Sequence, residues 1–287
     1  MRFRRLLIGL LCLAGLAVLL DFGVAAYSEY RVSRLLRTGS DLSADPEITF
    51  HESIGHPFVI QAIDGAYGSV DVRARALRPD IPGQITVEAN LRGVHLSMRN
   101  LIDGNVSRVP VDEVHAGLRI EPAELGRIFK IPGLQVFGPP ADKSDGSGGS
   151  GGTGVTTTGA IILEGTVPVT PDADAATFPD PVADGGQKVT TKPVHVLADL
   201  RLEGNQVRVT ATAIAGRDLQ GDTATEIETP VIPEQDRAAV LARFTRTIDI
   251  KNMPFGITPT KVQAIGGQIV VEGTQRNATV DLDRLQP

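Results

Sequence analysis

Between Ser69 and Ala76 the chain alternates without a break, with Val70, Val72, Ala74 and Ala76 on one side and Ser69, Asp71, Arg73 and Arg75 on the other. A period of two is that of a half-buried strand, and it commits this part of the chain to a sheet with one wet face. Gln84 to Arg92 repeats it, setting Ile85, Val87, Ala89 and Leu91 against Thr86, Glu88 and Asn90 before Gly93 resets the phase. Further strands are predicted at Glu47–His51, around Ala116, Leu118 and Ile120, at Gly159–Val169, Val194–Leu202 and Gln206–Ala215, and in a final strand at Ala278–Leu282. Gly204-Asn205 marks one hairpin turn, and Gly266-Gly267 turns a second hairpin over Lys261–Glu272. Many antiparallel strands with a few helices predict a β-rich α+β fold.

The helices are fewer and shorter. Ala25–Leu36 puts Val32, Leu35 and Leu36 on one face, Ser97–Asp103 has room for one or two turns, and Pro122 opens a helix with Leu125, Ile128 and Phe129. A last helix is predicted from Pro233 through Arg246, with Val240, Leu241, Phe244 and Ile248 at helical spacing. Upstream of the alternating strand, Gly55 and Pro57 break an apolar run and predict a turn followed by a short buried segment. Met253-Pro254-Phe255-Gly256-Ile257 echoes that Pro-Phe, glycine, strand order near the C-terminus.

Arg2, Arg4 and Arg5 precede an uninterrupted apolar run from Leu6 to Leu20, the pattern of an export segment inserted with its arginines on the cytoplasmic side. Residues 1–26 are a signal peptide or a membrane anchor: Val24-Ala25-Ala26 offers small residues for cleavage, while Leu6–Ala26 is nearly long enough to span a bilayer. The lone Cys12 lies inside this segment after Leu11, not after the small residue that lipidation needs, and it leaves the exported part without a disulfide. Residues 27–287 are then one domain, interrupted by a Gly/Ser-rich linker at 139–154 and a Pro/Asp-rich loop at 171–187.

A net charge of -6 and a pI near 5.4 exclude nucleic-acid binding by phosphate neutralisation. Tempting motifs also fall away. Gly146, Gly148 and Gly151 match a dinucleotide fingerprint, and Gly148 to Gly152 a nucleophile elbow, but both lie in the linker with no strand before them and no helix after. In His51-Glu52-Ser53-Ile54-Gly55-His56 the second histidine comes one residue too late for a zincin helix, so no metal or other cofactor is expected. His95, His115 and His195 stand alone on polar strand faces, and no catalytic set emerges from local spacing; the chain is expected not to be an enzyme.

The run Gly55-His56-Pro57-Phe58-Val59-Ile60-Gln61-Ala62-Ile63-Asp64-Gly65-Ala66-Tyr67-Gly68-Ser69-Val70, after an exported helix with Glu29 and Arg31, resembles the LmeA-type family of actinobacterial envelope proteins. Met253 to Val262, continuing to Glu272, is similar to the same family's closing signature, and the likeness extends from about Val24 to Leu282. The resemblance implies a periplasmic, non-enzymatic binder of phosphatidylinositol-type phospholipid that supports lipoglycan assembly at the plasma membrane, with envelope glycosyltransferases as possible partners. It also implies a strongly curved antiparallel sheet wrapped around helices with an apolar tunnel, as in tubular lipid-binding proteins. Bulk in a chain rich in small residues nominates Phe58, Ile63, Tyr67, Phe129, Leu241, Phe244, Met253 and Phe255 as lipid-lining residues. The two Pro-Phe segments are expected to lie close together and frame one cavity. The alternative is a membrane-tethered scaffold with a filled core, since most apolar residues at such spacing are ordinary core.

Overall fold

The computed structural model describes residues 2–39, 45–52, 55–77, 83–103, 105–106, 108–138, 159–169, 190–214, 232, 234–251 and 253–281. The Gly/Ser linker with its two motif matches, and the Pro/Asp-rich loop, lie outside these residues. The chain runs α1 (Arg2–Gly39), β1 (Glu47–His51), α2 (Phe58–Asp64), β2 (Ala66–Leu77), β3 (Gln84–His95), α3 (Met98–Asp103), β4 (Arg108–Ile120), α4 (Pro122–Phe129), β5 (Gln135–Phe137) and β6 (Gly159–Val169). It continues through β7 (Thr190–Glu203), β8 (Gln206–Ile214), α5 (Glu234–Arg243), β9 (Arg246–Asp249), a 3-10 turn at Pro254–Gly256, β10 (Lys261–Ile265) and β11 (Gln268–Asp281).

The strands form two open antiparallel sheets, ordered β1-β2-β3-β4-β11-β10 and β5-β6-β7-β8-β9, in place of one sheet wrapped into a tube. The cause is topological. β11 returns to occupy the free edge of β4 and brings β10 with it, so β5 to β9 pair among themselves. Edge strand β10 lies against β5 and β7, and the buried apolar residues of both sheets join into one core. The alternation delivers what it promised: Val70, Val72, Ala74 and Ala76 are buried, as are Ile85, Val87, Ala89 and Leu91.

Three elements depart from expectation. The short buried segment after Pro57 is a helix of about two turns, because Pro57 stays extended (φ -60°, ψ 159°) just outside it and Gly65 stops it in the left-handed region at φ 66°. The helix expected to run through Arg246 stops at Arg243. Thr245 turns the chain, its hydroxyl donating to the Leu241 carbonyl and accepting the Ala211 N–H, and Arg246–Asp249 pairs with β8 as a strand, which puts Ile248 in a sheet. Lastly, the far half of the closing hairpin and the final strand are one continuous strand, β11.

The phase reset at Gly93 is one part of a crease across the sheet. Core-facing residues flanking it are three apart instead of two in each of three neighbouring strands: Tyr67 and Val70 in β2, Leu91 and Val94 in β3, Val111 and Val114 in β4. The register aligns Gly68, Gly93, Asp112 and Asn277 at matching positions of β2, β3, β4 and β11, so all four strands shift together and their pairing survives. Left-handed backbone at Gly93 (φ 58°) and Asn277 (φ 48°) makes the crease, and a Cβ at Gly93 would run into the Asp112 carboxylate. Beyond it lies a separate apolar row, Tyr67-Val94-Val111-Ala278, at the end of the sheet that also carries α2 and α3.

Candidate functional site

The site is assembled where α1 meets this end of the sheet. From Phe3 to Leu20 the large apolar side chains of α1 are nearly all exposed, and among the described residues it is the one helix long and apolar enough to cross a membrane. From Asp21 onward the helix docks on the domain. Asp21 Oδ2 accepts the Phe58 N–H at 3.1 Å and Oδ1 the Val59 N–H at 2.8 Å, satisfying α2 donors that no side chain of its own caps. Further along, Glu29 accepts the Phe50 N–H, Ser33 donates to the Pro46 carbonyl, and Arg37 meets Asp45 at 2.8 Å, so α1 runs antiparallel to β1. Burial, the charge of Asp21 with a hydrogen bond to it, and the charge of Glu29 together raise the Glu52 pKa above its ordinary 4.5.

Under α2 three aromatic rings pack together. Phe50 lies 5.2 Å from Phe58, edge to face, and 5.1 Å from Tyr67, while Phe58 and Tyr67 are 5.7 Å apart. All three are buried, Tyr67 to 1% exposure, and the Tyr67 hydroxyl has no hydrogen-bond partner among the described residues. Burial holds its pKa above the ordinary 10.0, so the group is a phenol O–H with a proton to donate. Leaving such a donor dry costs about 1–3 kcal/mol. Gln61, by contrast, is fully used: its amide donates to the His56 carbonyl at 2.8 Å and accepts the Gly68 N–H at 2.9 Å, fastening α2 to β2.

The other nominated residues fall elsewhere. Ile63 is 70% exposed, on the face of α2 turned away from Phe58, and so is absent from the interior. Phe129 and Phe244 are fully buried beside the second sheet, on elements that Arg243 joins by donating to the Lys130 carbonyl at 3.0 Å, and Leu241 is half-buried at the margin of the core. Met253 and Phe255 are buried near β4 and β11. Phe255 holds a left-handed backbone at φ 60°, uncommon for a bulky side chain. It lines a recess of about 390 Å³ with Arg108, Gly256, Ile257, Gln275, Ala278, Thr279 and Asp281, which reaches neither Phe58 nor Tyr67. The two Pro-Phe segments therefore share one core and one end of one sheet, where Tyr67 and Ala278 stand three strands apart, roughly 14 Å. The sequence reading missed Phe50 and Asp21. The Ile48/Phe50 alternation in β1 carried a signal for the first, and nothing local could have found the second.

The opposite face of the first sheet is polar and internally paired. Glu88 sits between Arg73 and Arg119, each at 2.7 Å, and although burial pushes its pKa up, those two hydrogen bonds and charges hold it below its ordinary value. His51 and Asn90 do the same for Asp71 against burial. A recess of about 510 Å³ opens here around Gly117, walled by these paired groups, which suits water or polar solutes and not an acyl chain. His95 and Asp112, and His195 and Glu164, are likewise paired, and among the described residues no three His, Cys, Asp or Glu converge as a metal site.

The fold and site define a β-sheet protein with a continuous apolar core, a candidate transmembrane helix and an unpartnered hydroxyl buried where the two meet. The chain belongs to the LmeA-like phospholipid-binding family, whose family model matches residues 19–274. That family is one of phospholipid-binding proteins and not an enzyme family, and membership in it supports lipid binding by this chain. Neither curated proteins nor solved structures yield a match.

Proposed function

We propose that the protein is a non-enzymatic phospholipid carrier or sensor, tethered by α1 at the outer, periplasmic face of the plasma membrane, that takes its lipid at the creased end of the first sheet. The observation that carries this is the buried Tyr67 hydroxyl, a lone donor among apolar groups at the place where α1 leaves its exposed apolar stretch. A lipid supplies what the site lacks: an ester or phosphate oxygen to accept the Tyr67 proton, and acyl chains for Phe58, Met253 and Phe255 to shelter. Each buried methylene contributes about 0.8 kcal/mol, so even a partly covered chain is held firmly. Phe129, Leu241 and Phe244 line the deeper core in this reading. The family resemblance supports phosphatidylinositol-type lipids as cargo and lipoglycan assembly, beside envelope glycosyltransferases, as the process served.

The test is to purify the full chain, exchange the detergent exhaustively, and measure phospholipid in an organic extract. A carrier retains phospholipid, and Phe58→Asp, if folded, retains less. Extracts no richer in phospholipid than those of an unrelated single-span protein would contradict the proposal and favour the scaffold.

A further inference from the structure

We infer that α2 is a membrane-docking element whose exposed isoleucines, Ile60 and Ile63, enter the lipid–water interface beside α1. They lie three apart on a helix, hence on one face, and are 43% and 70% exposed, while Phe58, Gln61 and Ala62 hold the other face to the core. Exposed isoleucines scattered over a surface mean little. These two are not scattered, because their position relative to a bilayer is fixed by α1. The exposed apolar run of α1 from Leu6, just after Arg4 and Arg5, to Leu20 is about 22 Å long at roughly 1.5 Å per residue, and arginine side chains reaching back to the inner interface let it cover most of the ~30 Å of a bilayer's hydrocarbon core. Its first acidic residue, Asp21, therefore marks the outer boundary of that core, and Asp21 is hydrogen-bonded to the first two residues of α2. One further turn along α2 come Ile60 and Ile63.

The occupant is the bilayer itself, through apolar insertion and not through charge. Acidic Glu52 and Asp64 flank α2, which itself carries no Lys or Arg, and the whole chain carries -6, so apolar contact and not charge draws α2 to the bilayer. Docking would press the creased end of the sheet, with Tyr67 behind α2, onto the surface from which a phospholipid comes. The inference rests on the tethered reading of α1, and the experiment separates the two.

The full chain is reconstituted in phosphatidylcholine vesicles and labelled with an environment-sensitive fluorophore at one cysteine at a time. The sites are native Cys12, Ile63→Cys in a Cys12→Ser background, and Glu121→Cys in the same background as a control on the order of 30 Å away, past the far end of β4. Nitroxide lipids then quench from shallow or deep positions. The expected result is deep quenching at Cys12, at least threefold stronger shallow quenching at residue 63 than at residue 121, and a blue-shifted emission at 63. Equal, water-like behaviour at 63 and 121 with Cys12 still quenched would overturn the docking and leave the tether standing. An unquenched Cys12 would overturn both.

Discussion

The carboxylate of Asp21 accepts the Phe58 backbone N–H at 3.1 Å, so the first residue after the apolar run of α1 is also the cap of α2. Two residues 37 positions apart thereby link a candidate membrane span to the aromatic cluster. Cleavage after Ala26 would remove that cap together with buried Ala25, which favours a retained anchor.

Asp21→Ala should loosen α2 by about 1 kcal/mol, the usual value of a lost helix cap, and Asp21→Asn by less because the amide oxygen still accepts one bond. Amide hydrogen exchange at Phe58 and Val59, in the full chain in detergent micelles, should then be about fivefold faster in the alanine variant. Unchanged exchange would show that the helix holds without its partner.

The Glu52 carboxyl, pushed above 4.5 by burial first and then by Asp21 and Glu29, gives this junction a pH dependence of known sign. The folded state binds the proton more tightly than the unfolded state, so the junction loses stability as pH rises from 4.5 through the raised folded value. Glu52→Gln should therefore be more protected than the parent at pH 7, with the gap closing below pH 4.5, read again by exchange at α2. Glu88 behaves oppositely: its lowered pKa stabilises the sheet at neutral pH, and that contribution is lost as pH falls through the folded value.

Tyr67→Phe should divide stability from binding. Without lipid the variant loses an orphaned donor and gains about 1–3 kcal/mol in denaturant unfolding, whereas its phospholipid retention should drop about fivefold, the value of one hydrogen bond. A purely structural Tyr67 would move only the first quantity.

The crease can be tested at Gly93. Gly93→Ala should cost about 1–2 kcal/mol for the left-handed backbone alone, and more because the new methyl displaces Asp112. In an Asp112→Ala background the carboxylate is gone and only the residue 112 Cβ still crowds the new methyl, so the double mutant is less destabilised than the sum of the two single ones. Strict additivity in thermal unfolding would remove Asp112 from the account.

Much of the fold was legible because its determinants are local. Alternation in β1, β2 and β3 and the glycines at 204 and 266–267 act within a few residues, and the structure honours them. What failed depended on distant partners. Ile248 has helical spacing behind Val240, Leu241 and Phe244, yet β8 offers Val207 a pairing partner there, and the ladder wins over the spacing. Gly93 signalled a reset in one strand, but the crease exists because Gly68, Asp112 and Asn277 lie beside it in three others. The site was half visible for the same reason. Phe58 and Tyr67 announce themselves by bulk, whereas Ile63, nominated on the same ground, faces outward, a distinction made by where α1 anchors α2.

The measurement that bears most directly on lipid capture at the creased end is photo-crosslinking with a phosphatidylinositol carrying a diazirine in its acyl chain, mapped by peptide mass spectrometry on the full chain. The expected adducts fall on peptides containing Phe58–Tyr67 and Met253–Ile257, and they weaken in Tyr67→Phe. Adducts confined to the Phe3–Leu20 stretch of α1, with none on either Pro-Phe segment, would contradict it.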